Sequence, residues 1–278
     1  MKGRLVLVAT PIGNLQDLSP RAVEALGSAA AIACEDTRRT GRLLSHAGVA
    51  APRLLVVNEH TEWTARQQVV DLLDGGAIVC LVTDAGTPGI SDPGEALVAA
   101  ALAAGHEVST VPGPVAAIAA LVVSGLPTAR FVMEGFLPRR GPERKARLAG
   151  VAAEREHTIV LYEAPHRLAR TLGDLAAVLE PARRIVLARE LTKLHEEIWR
   201  GSLAEALELV AGSEPRGEFV IVIDRAPPEQ PTAPEEVIDR VRALLADGLS
   251  TRDAVDRVSG ETGIARNSVY ELALRLDH

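Results

Sequence analysis

Twelve residues, Thr83-Asp84-Ala85-Gly86-Thr87-Pro88-Gly89-Ile90-Ser91-Asp92-Pro93-Gly94, constrain this chain more than any other stretch. They follow an apolar run, Ala77 to Val82, that reads as a buried parallel strand. Three Gly, two Pro and two Asp can neither extend a strand nor begin a long helix. They build a rigid, sharply turned loop at the carboxyl end of that strand. A plain strand-to-helix turn takes about two to six residues, so this loop is over-specified for a turn. In open α/β sheets the carboxyl ends of strands are where ligands bind.

The same arrangement recurs along the first half of the chain. Short apolar runs at Leu5 to Ala9, Ala29 to Cys34, Arg53 to Val57, Ala77 to Val82 and Glu107 to Val111 alternate with helical patterns such as Pro20 to Leu26 and Glu95 to Ala104. This βα alternation predicts a parallel-rich sheet with helices on both faces. Gly125-Leu126-Pro127-Thr128 marks a break. A second strand set follows at Phe131 to Glu134, Thr158 to Tyr162, Arg184 to Ala188, Glu196 to Gly201 and Glu218 to Ile223. The last two lack a full crossover helix, which predicts a mixed sheet. Four prolines between Ala226 and Pro234 make a stiff linker. Residues 235–278 read as helices: Glu235 to Ala246, a second helix capped by Ser250, a turn at Gly260 to Gly263, and a third helix, Ala265 to Leu276. Helix, short Gly-containing turn, helix is the helix-turn-helix pattern. The expected units are therefore an α/β domain over 1–125, a second over 126–225, a linker over 226–234 and a helical module over 235–278.

Composition narrows the function. Only 3% of the residues are aromatic against 47% hydrophobic, so the core is built from Ala, Val, Leu and Ile. Cys34 and Cys80 each lie in an apolar run without metal-type spacing, which predicts buried thiols, no metal and a cytosolic protein. No run approaches the roughly 18 residues a membrane span needs, and the amino terminus has no signal-peptide shape. A net charge of -7 argues against non-specific coating of nucleic acid. It leaves room for a local basic patch, and Pro138 to Arg147 carries five basic residues against one acid. The helical module holds nine acids against six arginines, so attraction to phosphate is not its obvious role.

The loops after the strands carry the chemistry. Thr10-Pro11-Ile12-Gly13-Asn14-Leu15 follows the first strand, where a dinucleotide-binding fold would place a Gly-rich phosphate cradle. It has one Gly, and Pro11 removes a donor. What the loops offer instead is acids: Glu35, Asp36, Asp84 and Asp92. A ligand with a positive charge and no phosphate suits them. Cys34-Glu35-Asp36-Thr37-Arg38-Arg39 reads either as a capped helix start or as arginines meeting an anionic substrate. Asn58-Glu59-His60 ends the third strand, and the small residues of Val111 to Ala117 let a helix amino terminus approach a ligand. Tyr162 to Arg167 and Arg189 to Lys193 each mix a base, an acid and a hydrogen-bonding side chain.

Taken together these loops resemble one family. The resemblance rests on Leu5 to Leu15, Cys34 to Arg38, Asn58 to His60, Thr83 to Gly94 and Val111 to Pro114. In the second half it rests on Glu134 to Pro138, Tyr162 to Arg167, Arg189 to Lys193 and Gly217 to Phe219. The family is the bacterial RsmI family of ribosomal RNA small-subunit methyltransferases, within the tetrapyrrole methylase superfamily. The match spans about residues 4 to 224 and extends to the helical tail. It implies two α/β/α domains of the tetrapyrrole methylase type, S-adenosylmethionine in a cleft between them, and a homodimer in the cytoplasm. It further implies 2'-O-methylation of a cytidine in the decoding region of 16S ribosomal RNA, cytidine 1402 in the standard numbering. The substrate form would be the RNA within the 30S subunit. Val115-Ala116 departs from the Ser-Ala common in the family.

The chemistry of such a transfer selects the candidates. Alignment of hydroxyl and methyl group comes first, and a base or cationic stabiliser helps a weakly acidic hydroxyl. Glu35, Asp36, His60, Glu190 and Lys193 are the candidates for that role. Pro11, Asp84, Gly86, Thr87, Pro88, Ile90, Ala116, Ala117 and Tyr162 are expected at the cofactor. Arg38, Arg39, Arg139, Arg140, Arg144 and Lys145 are expected at RNA phosphates. Two rival readings remain: carbon methylation of a tetrapyrrole by the same fold, and a non-catalytic RNA-binding scaffold. The first needs neither the basic patch nor the helical tail, and the second needs no intact cofactor loop. A nucleotide hydrolase is disfavoured by the missing phosphate loop.

Overall fold

A computed structural model of the chain describes residues 3–50, 52–57, 61–212, 214–226 and 234–274. The chain forms two compact units, Met1–Ala226 and Pro227–His278. In the first, strand and helix alternate as the apolar periodicity requires: β1 Arg4–Val8, α1 Pro20–Ser28, β2 Ala31–Cys34, α2 Thr37–His46 and β3 Arg53–Val56. Then follow α3 Glu62–Asp74, β4 Ile78–Leu81, α4 Glu95–Ala103, β5 Glu107–Val111 and α5 Ala116–Ser124. The five strands make one wholly parallel sheet in the order β3-β2-β4-β1-β5. Parallel strands need both faces covered. Ala65, Val69 and Leu73 of α3 with Leu97 and Ala101 of α4 cover one face. Ala22 and Leu26 of α1 with Leu44 of α2 cover the other. The buried thiols of Cys34 and Cys80 belong to this second layer.

The helix starts are set locally. The Ser19 hydroxyl accepts from the Ala22 N–H ahead of Pro20, so α1 begins on a capped, φ-restricted residue. The Asp36 carboxylate accepts from the N–H groups of Arg38 and Arg39 at the start of α2.

The second sheet contains β6 Phe131–Phe136, β7 Thr158–Glu163, β8 Arg184–Arg189, β9 Glu197–Ser202 and β10 Phe219–Ile223, in the order β6-β7-β10-β8-β9. Only β6 and β7 run parallel. Strand β10 is antiparallel to both β7 and β8, and β8 is antiparallel to β9, so the sheet is mixed. Helices α6 Gly141–Ala153, α7 Pro165–Ala176 and α8 Leu203–Val210 pack on one face. The eight-residue α8 lies between β9 and β10, where the sequence shows no full crossover helix. It is started by a capping box between Ser202 and Glu205. The opposite face of this sheet is covered by α5, through Ala117, Ala120 and Leu121 against Val160, Val186, Val220 and Val222. Helix α5 thus leaves the first sheet and buries the second.

The second unit consists of α9 Pro234–Ala246, α10 Thr251–Thr262 and α11 Arg266–Ala273 around Val237, Val241, Ala254, Val255, Val258 and Val269. Ser250 caps α10 by accepting from the Asp253 N–H. The expected turn at Gly260 is corrected: Gly260 lies inside α10, which stops only at Gly263, in left-handed conformation with φ 68°. Leu276 and most of the Pro-rich segment lie outside the described residues. Among the described residues no helix is long and apolar enough to cross a membrane.

Candidate active site

Strand order in the first sheet fixes where a ligand can sit. The chain runs from β1 outward to β2 and β3, returns to β4, and crosses β1 to reach β5. The loops after β1, β4 and β5 therefore meet at their carboxyl ends, the crevice expected at a topological switch point. They are knitted together by backbone. Thr10 N–H donates to Gly86 O at 2.8 Å, and Gly86 N–H returns the bond to Thr10 O at 3.1 Å. The Thr87 hydroxyl donates to Pro114 O at 3.1 Å. Gly86 has φ 90°, and a Cβ there would come within 3.3 Å of Ile12, so the close approach requires glycine.

These loops form one wall of a cavity of about 410 Å3, with Ile12, Gly86, Thr87, Ile90, Val115 and Ala116. Phe136, Tyr162, Ala188, Leu191 and Val220 of the second sheet form the other. Asp92, Glu163, Glu190 and Glu218 supply acids, and Lys193 a cation. A neighbouring cavity of about 380 Å3 shares Ile12, Ala85, Lys193 and Glu218 with it, and adds Pro11, Asp84, Arg39 and Arg42. Both volumes fall in the roughly 300–1,000 Å3 range of small-molecule sites.

The field in this crevice is negative. Burial pushes the Asp92 carboxyl up to about 7, helped by the charges of Glu35, Asp84 and Glu218. Burial also raises the Glu35 carboxyl, against the bond it accepts from the Asp84 N–H at 3.3 Å. Asp84 pairs with Arg39 at 3.5 Å through Oδ2, while its Oδ1 is buried with no hydrogen-bond partner. Lys193 bonds Glu190 at 2.8 Å and Glu218 at 2.9 Å. Burial disfavours the lysine charge, but the two carboxylates outweigh it, and its pKa lies above the usual lysine value. The bond from Lys193 in turn holds Glu190 below the usual carboxylate range.

Backbone strain is concentrated here. Among the described residues, the non-glycine positions with positive φ are Ser91 at 59°, Glu190 at 50° and Thr192 at 66°. Ser91 and Glu190 line the cavity, and Thr192 Oγ1 accepts from the Asn14 N–H at 3.1 Å. Left-handed conformations cost such residues about 1–3 kcal/mol and gather at functional sites. Two glycines make room for the strained segment. A Cβ on Gly13 would stand 2.5 Å from Lys193 Cγ, and one on Gly217 would stand 2.4 Å from Glu190 Cγ.

An orphaned carboxylate oxygen, a surplus of acids, apolar walls and no phosphate cradle together fit S-adenosylmethionine, which carries a sulfonium cation and no phosphate. Gly86, Thr87, Ile90, Ala116 and Tyr162 line the larger cavity, while Pro11 and Asp84 line the neighbouring one. Pro88 is buried and lines neither. Ala117 is fully buried and contributes only its N–H, which donates to the Tyr162 hydroxyl at 3.1 Å.

Of the residues expected to do chemistry, Glu190 and Lys193 line the cavity. Glu35 stands behind Asp84, which lines the neighbouring cavity, and Asp36 is occupied as the cap of α2, which holds its carboxyl below the ordinary range. His60 lies outside the described residues, as does the rest of Asn58 to His60. Arg38, Arg39, Arg139, Arg140 and Lys145 are exposed. Arg144 is not: its expected role at RNA is corrected. Its side chain is 4% exposed, paired with Asp174 at 2.7 Å and bonded to Pro138 O and Thr171 Oγ1. A guanidinium enclosed in this way meets no phosphate. Several polar and aromatic residues of the cavity lie outside the expected site residues, among them Ser91, Asp92, Phe136, Glu163, His166 and Glu218. All of them sit in motifs that the sequence singles out, but only folding shows which members face inward.

A family model, "Tetrapyrrole (Corrin/Porphyrin) Methylases", matches residues 4–207, and "RsmI C-terminal HTH domain" matches residues 231–277. A protein of Synechocystis sp. named Ribosomal RNA small subunit methyltransferase I is 48% identical, over 99% of each chain. A protein of the same name from Pseudomonas aeruginosa is 44% identical over 98% of this chain and 97% of its own. Among solved structures, the methyltransferase CobJ aligns with a TM-score of 0.61 at 22% identity, covering 81% of this chain and 95% of its own. Uroporphyrin-III-C-methyltransferase from Thermus thermophilus aligns with a TM-score of 0.57 at 22% identity, covering 80% and 94%. At that identity the likeness is one of fold. The chain belongs to the ribosomal RNA small subunit methyltransferase I family, on the tetrapyrrole methylase fold.

Proposed function

We propose that this family member transfers a methyl group from S-adenosylmethionine to the 2'-oxygen of a cytidine in the decoding region of 16S ribosomal RNA. The observation that carries the reading is the near full-length similarity to the small subunit methyltransferases, which extends through the helical segment at 231–277. The cavity supports it, because acids without a phosphate cradle suit a sulfonium ligand. When bound, S-adenosylmethionine supplies the electrophilic methyl group. The chain does the rest. Ile12, Gly86, Thr87, Ile90, Ala116 and Tyr162 enclose the cofactor and exclude water. Lys193, kept protonated by Glu190 and Glu218, offsets negative charge developing on the attacking oxygen. Asp92, titrating near neutrality, is suited to take that oxygen's proton. Exposed Arg38, Arg39, Arg139, Arg140 and Lys145 meet the phosphates.

The reading carries with it a homodimer, a cytoplasmic location and the 30S subunit as the form of the substrate. It also treats 1–125 and 126–225 as the two catalytic lobes and 235–278 as a module that guides the substrate. Tetrapyrrole methylation has behind it the superfamily model over residues 4–207 and structures 22% identical, whereas the near full-length relatives carry the ribosomal RNA name. The test is a substrate panel with labelled S-adenosylmethionine: naked 16S RNA, 30S subunits and uroporphyrinogen. Label entering the small-subunit RNA as a 2'-O-methylcytidine upholds the reading. Label entering only uroporphyrinogen overturns it.

A further inference from the structure

We infer that Phe136 is the platform on which the target nucleobase stacks when it enters the cavity, an inference that rests on the RNA reading above. The chain has three Phe, two Trp and two Tyr in 278 residues, so aromatic rings are scarce, and among the described residues Phe136 is more exposed than the other two exposed rings, Phe131 and Tyr270. Phe136 is 52% exposed, yet it lines the larger cavity and stands against Tyr162 with ring centroids 5.4 Å apart and planes tilted by 48°. One face of an aromatic pair is thereby left for a third ring.

The strand is built to aim it. The ladder between β6 and β7 shifts between Met133 and Gly135, which makes Glu134 an extra residue. Gly135 has φ 64°, and a Cβ on it would stand 3.0 Å from Ser91 Oγ. Bulges of this kind re-aim side chains next to sites. Directly after the ring the backbone is clamped. The Arg167 guanidinium donates to Leu137 O, and Arg144 Nη1 donates to Pro138 O at 2.9 Å. Both arginines are anchored on side chains: Arg167 on buried Glu163 at 3.1 Å, and Arg144 on half-buried Asp174 and buried Thr171. Beyond the clamp come exposed Arg139 and Arg140. A ring at the cavity mouth and cations a few residues on match a single nucleotide, base on the ring and phosphate outside. Enzymes that act on one nucleotide take its base out of the stack and bind it on an aromatic face.

The test uses the full-length wild type and three variants, Phe136→Ala, Phe136→Leu and Phe136→Trp, on 30S subunits with labelled S-adenosylmethionine. Cofactor affinity is measured in parallel by calorimetry. Alanine and leucine are expected to lower kcat/KM for RNA roughly ten- to one-hundred-fold, the size of one lost base–aromatic stack. Tryptophan should keep it near wild type, and cofactor affinity should stay within about two-fold in all three. An active Phe136→Ala overturns the inference. So does a cofactor affinity that falls in step with activity, which would give the ring to the adenine of the cofactor, and so does full activity in Phe136→Leu. A wild type inactive on RNA overturns the RNA reading itself, and the stacking role with it.

Discussion

The hydroxyl of Tyr162, on β7 of the second sheet, accepts a hydrogen bond at 3.1 Å from the N–H of Ala117, at the start of the helix that leaves the first sheet. This bond joins the two walls of the cavity beside the apolar packing of the same helix on the second sheet. Burial raises the Tyr162 pKa, against the bond that its oxygen accepts from the Ala117 N–H. Tyr162→Phe keeps the ring and leaves the Ala117 N–H buried without a partner. We expect a loss of about 1–3 kcal/mol in stability and weaker S-adenosylmethionine binding. Thermal unfolding and calorimetry on the same variant check both. Unchanged values in both would mean that the bond does not set the cavity.

Asp92 should couple cofactor binding to protons. Its carboxyl is pushed up to about 7 in the folded chain, against roughly 4 when unfolded. Between those values the native state binds more protons, so stability falls as pH rises from about 4 to about 7. Asp92→Asn should flatten that slope. A cation in the cavity favours the ionised carboxyl, so binding S-adenosylmethionine near pH 7 should release about half a proton. Calorimetry in buffers of different ionisation enthalpy measures the release, which should vanish in Asp92→Asn.

Neighbouring arginines should part company when mutated. Arg139→Ala with Arg140→Ala should leave the fold intact and reduce the salt slope of RNA binding by a little under one per lost contact. Arg144→Ala removes the buried partner of Asp174, Thr171 and Pro138. It should cost on the order of 3 kcal/mol in stability before any effect on RNA is seen. Denaturant unfolding beside filter binding across salt concentrations separates the two classes. A stable Arg144→Ala with a reduced salt slope would return Arg144 to the RNA surface.

Removing the helical unit should spare the cofactor site. Both cavities are lined entirely by residues of Met1–Ala226. A chain ending at Ala226 is therefore expected to fold and to bind S-adenosylmethionine with unchanged affinity, while methylating 30S subunits poorly. Binding and turnover measured side by side decide it. Lost cofactor binding would show that the helical unit supports the site, and full turnover would show that the unit is dispensable.

The sequence by itself determined the layered α/β architecture. Apolar runs such as Ile78–Leu81, ended by turn residues, can be satisfied only as strands covered on both faces. It also pointed to the loops at the strands' carboxyl ends, which are rich in acids and in which Pro11 removes a backbone donor. A local signal placed the cap at Ser250. Tertiary structure decided which members of each motif face the ligand. Arg139 and Arg144 lie in one basic stretch, yet one is exposed and the other is enclosed by Asp174, Thr171 and Pro138. Helical periodicity does not say which turn meets α7. Phe136 reached the cavity through a bulge whose extra residue, Glu134, leaves no mark in composition. The pairing of Lys193 with Glu190 and Glu218 depends on left-handed backbone at Glu190 and on room at Gly217. Such strain persists only because surrounding contacts over-determine it, and those contacts join residues that are distant in the chain.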